Sequence, residues 1–283
     1  MPTSTLRSRS GRRRTLGIAL RYLALTTFAV IVVFPIYIMY LDSMLSVQQI
    51  TATPPVLFTL HPDWGIFVTA WNQGQLGHAL LISSLQTGVI VSAQIVTSIL
   101  AAFAFAFLTF PFKRTLFVAT LATLMIPFEI TVITNLQTVS SWGLLNNVGG
   151  LVVPFLATGF GIFLLRQAFV AIPKEMREAA VIDGYSNMQF LRRVAVPMAR
   201  PSIAALAVFA FLGAWNQYLW PVLVTSNNES IRTLQIQIKT LGGTVSQANV
   251  QLAAAAIAAL PLLLLLIFFQ RHLIRSLTAG AVK

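Results

Sequence analysis

Six apolar runs divide the chain, each close to the length that spans a bilayer, about 20 residues at 1.5 Å rise per residue. They cover Tyr22 to Leu41, Leu80 to Phe107, Leu116 to about Thr138, Gly149 to Leu165, Ser202 to Val224 and Leu252 to Phe269. The pattern predicts an all-α, polytopic membrane protein with six transmembrane helices. The first run follows a basic tail, as a secretory signal would, but it is too long and no small-residue cleavage site follows it, so it reads as a retained helix.

One long stretch breaks this pattern. From Ala171 to Arg200 the sequence writes helix, sharp turn, helix. Pro173 suits a first helical turn, where its missing N–H costs nothing. Gly184 ends the helix, because glycine enters the left-handed conformation freely. Ser186 and Gln189 form a capping box that starts a second helix, which Pro197 and Pro201 are expected to end. Asn187 reads as an exposed position of that helix. Ala179 and Ala180 offer a face with almost no side chain, where a partner can approach the backbone. Glu178 beside them is a carboxylate for a cation or for backbone donors.

Composition supports the membrane reading. Of 283 residues, 57% are hydrophobic and 9% charged, against about 25% charged in soluble domains. A soluble enzyme or DNA-binding factor is excluded on that ground. The net charge is +12. Seventeen of the 19 Lys and Arg residues fall in the N-terminal tail, in the second-to-third and fourth-to-fifth connections, and at the C-terminus. The other two, Arg232 and Lys239, lie in the fifth-to-sixth connection. The asymmetry predicts both termini in the cytoplasm. The organisation expected is a basic tail over 1–21, a six-helix domain over 22–270 with its cytoplasmic loop at 171–200, and a C-terminal tail over 271–283. Arg12, Arg13 and Arg14 suit anionic lipid headgroups rather than nucleic acid, since no aromatic residues interleave them.

The chain has no cysteine, and His61, His78 and His272 are scattered, so neither thiol chemistry nor a metal site is expected. There is no G-x-x-x-x-G-K-[ST] loop for ATP and no hydrolase or zinc-protease motif. The loop from Asp42 to Ala79 has no Lys or Arg but carries Trp64 and Trp71. It reads equally as a lid on the membrane surface or as a docking surface.

Polar residues inside apolar runs are costly and mark pathway candidates. These are Gln94 on the second helix, Glu129 on the third, and Trp215, Asn216, Gln217 and Tyr218 on the fifth. At helical rise Glu129 lies about 22 Å and Asn216 about 21 Å from the cytoplasmic edge, one common depth. The alternatives are an interfacial aromatic belt for the tryptophans and Tyr218, and a Glu129 held neutral or bonded to a neighbouring helix. No Lys or Arg lies at mid-depth, so an anionic solute would need neutral donors, helix N-termini or another subunit. Gly149, Gly150, Gly159 and Gly161 form small-residue faces suited to close packing against a second permease.

Glu178-Ala179-Ala180, three residues, Gly184, nine residues, then Val194-x-Val196-Pro197 resembles the loop signature of bacterial ABC importer permeases, with valine at two positions where the family has isoleucine and leucine. Phe163–Phe169 with Ile172-Pro173, Asp183-Gly184, Phe110–Arg114 and the C-terminal Gly280–Lys283 are similar to the carbohydrate-uptake, maltose-type subgroup. Trp215–Pro221 and Leu124–Glu129 look like the second permease subunit of glycerol-3-phosphate-type importers. The resemblance implies a non-catalytic subunit in the bacterial inner membrane that moves a sugar or glycerol-phosphate-type solute by alternating access. It implies a second permease as heterodimer partner, two ATPase subunits that bind the ATP, and an external solute-binding protein. It assigns ATPase coupling to Glu178, Ala179, Ala180, Asp183, Gly184 and Pro197. The competing class is an ion-coupled secondary transporter, disfavoured because Glu129 is the one carboxylate placed to serve a relay.

Overall fold

The computed structural model describes backbone over residues 7–243 and 247–279, and side chains over 17–243 and 247–269. Residues 1–6 and 280–283, the side chains of Arg12–Arg14, and those of Arg271, Arg275 and Lys283 lie outside that description. Two compact units are present: Met1–Asn72 with Leu241–Ala256, and Gln73–Thr240 with Ile257–Lys283.

The first unit holds α1 (Arg7–Asp42), α2 (Val47–Ile50) and most of α3 (Gly65–Gln73). It also holds the start of α15 (Ala248–Ala279). Its connections are pinned by single polar bonds. The Tyr40 hydroxyl donates to the Ala256 carbonyl (3.1 Å) and the Asn249 amide to the Leu45 carbonyl (3.2 Å). Asp63 caps α3 by accepting from the Gly65 N–H at 2.8 Å. Trp64 and Trp71 are exposed.

The second unit is built on α4 (Leu76–Phe107), against which α8 (Gly159–Val170) and α12 (Arg200–Trp215) pack. The close approach of α4 and α8 needs Gly161, where a Cβ would collide with the Ser98 hydroxyl and sit 3.0 Å from Leu206. Gly150 likewise faces the Leu144 carbonyl and Val224, and Gly159 the Thr120 carbonyl. These three glycines are consumed inside the chain and are not a free face for a second permease, contrary to expectation.

Among the described residues, three helices are long and apolar enough to cross a membrane: Gly17–Asp42, Leu76–Phe107 and Ala248–Phe269. Three further candidates are bent pairs. The third apolar run divides into α5 (Lys113–Ala122) with a 3-10 turn to Met125, and α6 (Phe128–Ser141), bent by 102°. Pro127 forces the break: the residue before a proline is pushed out of helical geometry, and Ile126 is extended at φ −92°, ψ 111°. The fourth run divides into α7 (Val148–Val152) with a 3-10 turn to Phe155, then α8, bent by 46°. The fifth is α12, a break at Asn216–Tyr218, and α13 (Leu219–Val224), followed by a 3-10 turn over Glu229–Ile231 and α14 (Leu234–Leu241). Straight spans were expected at all three places; the breaks in the third and fifth runs fall at Pro127 and at the polar pair Asn216-Gln217, local features that hydropathy averaged over a whole span does not register.

Candidate functional site

After α8 the chain enters α9 (Lys174–Ile182), with Pro173 one residue ahead of it as N-cap. The helix ends in a complete Schellman motif. The Tyr185 N–H donates to the Ala180 carbonyl (2.9 Å) and the Gly184 N–H to the Val181 carbonyl (3.0 Å). Gly184 sits at φ 73°. The next helix, α10 (Asn187–Phe190), opens with the expected capping box: Ser186 N–H to Gln189 Oε1 at 2.7 Å, Gln189 N–H to Ser186 Oγ at 3.3 Å.

One residue of the loop behaves differently from expectation. Ala180 is buried, packed with Phe103, Phe169, Phe190 and Leu206. Its small side chain lets α9 approach this chain's own core, not a partner. The second helix ends at Met198, one residue past Pro197 and close to the expected end. The chain passes through a π-helical turn (Leu191–Ala195), where the Val196 N–H reaches back to Leu191, into α11 (Val196–Met198). It then bends by 77° into α12. Proline has no N–H with which to continue the ladder, and the helix stops one residue beyond it.

Glu178, Ala179, Asp183 and Gly184 are exposed, as are Val181 and Ile182, the latter at 86%. An open groove of about 690 Å³ runs along this helix, lined by Phe107, Phe169, Lys174, Arg177, Glu178 and Val181 among others. Arg177, which sequence reasoning passed over, ties the loop together. Its guanidinium lies 5.1 Å from the Phe107 ring centre and 5.5 Å from that of Phe190, and it donates to Asn187 Oδ1 at 3.3 Å. Asn187 is therefore not an idle surface position. An Arg one residue before the Glu-Ala-Ala triplet was the available signal.

The six intramembrane candidates do not form one site. Gln94 donates to the Phe155 carbonyl at 2.9 Å, and Thr97 beside it to the Leu156 carbonyl at 3.1 Å. Both satisfy backbone freed by the break before α8, a structural duty that apolar surroundings require. Trp215 is buried, and its indole N–H donates to the Ala258 carbonyl at 3.2 Å. Trp220 is buried too and donates to the Gly150 carbonyl at 3.0 Å. Neither tryptophan is an interfacial belt residue, and Trp215 presents nothing to a pathway.

Gln217 sits in the break between α12 and α13, where its side-chain oxygen accepts from the buried Gln86 amide at 2.7 Å. Asn216 is exposed and donates back to the Leu212 carbonyl at 3.0 Å. Tyr218 is 43% exposed. Glu129 is exposed in the first turn of α6, where a negative charge complements the helix dipole. Because α5 and α6 are bent by 102°, its depth along a straight helix has no meaning. The same estimate for Asn216 keeps its basis, since α12 is continuous up to Trp215. Ser83, by contrast, accepts from the Leu234 N–H at 2.8 Å and anchors α14.

Residues 6–279 match the model of the family described as binding-protein-dependent transport system inner membrane component. The chain belongs to this family. The sn-glycerol-3-phosphate transport system permease protein UgpE of Pectobacterium atrosepticum is 32% identical over 255 residues, covering 87% of this chain and 90% of the relative. The same protein of Salmonella typhi is 31% identical over 256 residues, with 87% and 91% covered. A bacterial ABC transporter involved in import of the acidic polysaccharide alginate has a solved chain of the same fold. Its TM-score is 0.79 at 22% identity, over 96% of this chain and 99% of that one. The present chain is thus a permease subunit of an ABC importer, a non-catalytic membrane component, and not an ion-coupled transporter.

Proposed function

We propose that this permease imports a sugar or glycerol-phosphate-type solute by alternating access, as one of two permease halves. It joins a second permease, two ATPase subunits that bind the ATP, and an external solute-binding protein. Both termini face the cytoplasm, which the distribution of 17 basic residues against two supports. The observation that carries the reading is α9. It is a short helix fixed on one side by Ala180 in the core and Arg177 across to α10. On the other side it leaves Glu178, Ala179, Val181, Ile182 and Asp183 exposed. A rigid helix with an unpartnered apolar end suits transmission of force from an ATPase. Gly184 sets its direction, while Ala180 and Pro197 act within this chain.

The contact with the second permease falls on α4. Ser84, Gly88 and Ser92 line an open face of about 740 Å³ there, edged by Leu85, Val89 and Val96, a small-residue surface that lets another helix come close. The relatives named for sn-glycerol-3-phosphate transport support the solute class. Reconstitution of the four-component complex in vesicles tests the reading. Uptake of labelled sn-glycerol 3-phosphate or a sugar should require ATP on the α9 side and the binding protein on the other. Uptake driven by an ion gradient without ATP would overturn it.

A further inference from the structure

The second unit carries a groove away from α9 and from the α4 face, with a volume of about 330 Å³. It is formed where the α12–α13 break, the end of α13, the 3-10 turn and α14 converge. Arg232 and Lys239 line it, together with Tyr218, Ser226, Val222 and Ile236. These are the only two basic residues between Arg200 and Arg271.

The donors in this groove are largely unspent. Arg232 makes one ion pair, to Glu229 at 2.9 Å, and that carboxylate is 81% exposed. A guanidinium has five N–H donors, so most of its capacity remains. Among the described residues Lys239 makes no ion pair, and the Tyr218 and Ser226 hydroxyls have no hydrogen-bond partner. Val222 and Ile236 supply an apolar wall. An exposed ion pair holds its partners weakly, so an incoming anion can take the place of Glu229.

We infer that this groove is an anion-recognition site for a small phosphate- or carboxylate-bearing solute. Arg232 and Lys239 hold the charged group, Tyr218 and Ser226 bind hydroxyls, and Val222 with Ile236 contacts the carbon skeleton. The volume lies within the usual range for small-molecule pockets, about 300–1,000 Å³. The inference rests on the transport reading above, which sets the groove on the external face. It also supplies on this chain the cations that the membrane-depth residues lack. Solute would meet fixed positive charge beside the α12–α13 break, which Tyr218 shares with Gln217.

The test uses the permease–ATPase complex without the binding protein, in phosphatidylcholine nanodiscs, with sn-glycerol 3-phosphate as probe and glycerol as neutral control, followed by nuclear magnetic resonance line broadening. Saturable broadening of the phosphate signal is expected, with none for glycerol. Lys239→Gln and Arg232→Gln should each weaken binding about tenfold, the effect of losing one charge-assisted hydrogen bond. Glu229→Gln, which frees Arg232 without removing a cation, should tighten it. Unchanged binding in both Lys239→Gln and Glu229→Gln would overturn the proposal even if Arg232→Gln fails to assemble. Loss of the signal when phosphatidylglycerol is added to the nanodiscs would also overturn it, assigning the groove to lipid headgroups. Vesicle uptake separates this result from the transport reading. Normal uptake with normal Lys239→Gln binding removes the groove alone; absent uptake with Lys239-dependent binding removes the solute assignment and supports the groove.

Discussion

Replacing Gly184 isolates backbone conformation from steric contact. Its φ is 73°, and nothing in the chain lies within 4 Å of an added Cβ. An alanine there meets no neighbour, so the cost is the left-handed backbone itself, about 1–2 kcal/mol for an L-residue. Relieving that strain means unwinding the helix end. The bonds from Tyr185 to Ala180 and from Gly184 to Val181 would then be lost, at about 0.5–1.5 kcal/mol each. The two costs are of similar size, so α9 becomes a mixture of wound and unwound ends. A bias of 1–2 kcal/mol changes such a ratio by roughly 5- to 30-fold. Activity should therefore fall in the order Gly, Asn, Ala, Val, because asparagine tolerates this conformation best and β-branched residues worst. The assay is solute-stimulated ATP hydrolysis and uptake by the reconstituted complex, measured on the same vesicles. Glu175→Gln is the control: it is exposed and outside the groove lining, whereas Asn187 holds Arg177 and would disturb the loop. Both activities should fall together while membrane insertion and solute capture stay normal. Equal coupling for Gly, Asn, Ala and Val would refute the reasoning. Full activity in alanine with loss only in leucine would also refute it, and would point to steric contact with a partner.

Two further outcomes test the packing. Trp220→Phe keeps the ring but leaves the buried Gly150 carbonyl unpaired, so the purified complex should lose about 1–3 kcal/mol and melt earlier; an unchanged melting temperature would mean the bond contributes nothing. Gly161→Ala pushes a methyl group into the Ser98 hydroxyl and should cost about 1–3 kcal/mol by overpacking α4 against α8, detectable as lower yield of assembled complex; normal yield and melting would show that the helices have room.

Much of this architecture is legible from residue order, for physical reasons that also explain the gaps. A membrane imposes length and apolarity on a span, so α1, α4 and α15 announce themselves. Gly184 and the Ser186–Gln189 pair are visible because their geometry is local. The breaks at Pro127 and at Asn216–Tyr218 do not show in hydropathy averaged over a span; the local signals were the proline itself and the polar Asn216-Gln217 pair. Gln94 and Trp215 were misplaced because polarity alone does not say whether a donor faces a cavity or a freed carbonyl. Their partners, the Phe155 and Ala258 carbonyls, are 61 and 43 residues away in sequence.

The absence of cysteine from the whole chain allows a direct test of α9 as the coupling element. Single cysteines at Ala179 and Ile182, both exposed, would be compared with one at the buried Ala180. In membranes holding only the permeases, an impermeant maleimide should label positions 179 and 182 from the cytoplasmic side and leave 180 unlabelled. Adding the ATPase subunits should protect both exposed positions and allow a short bifunctional reagent to link Ile182→Cys to an ATPase. Labelling of 179 and 182 from the external side, or undiminished labelling in the complete complex, would contradict the account.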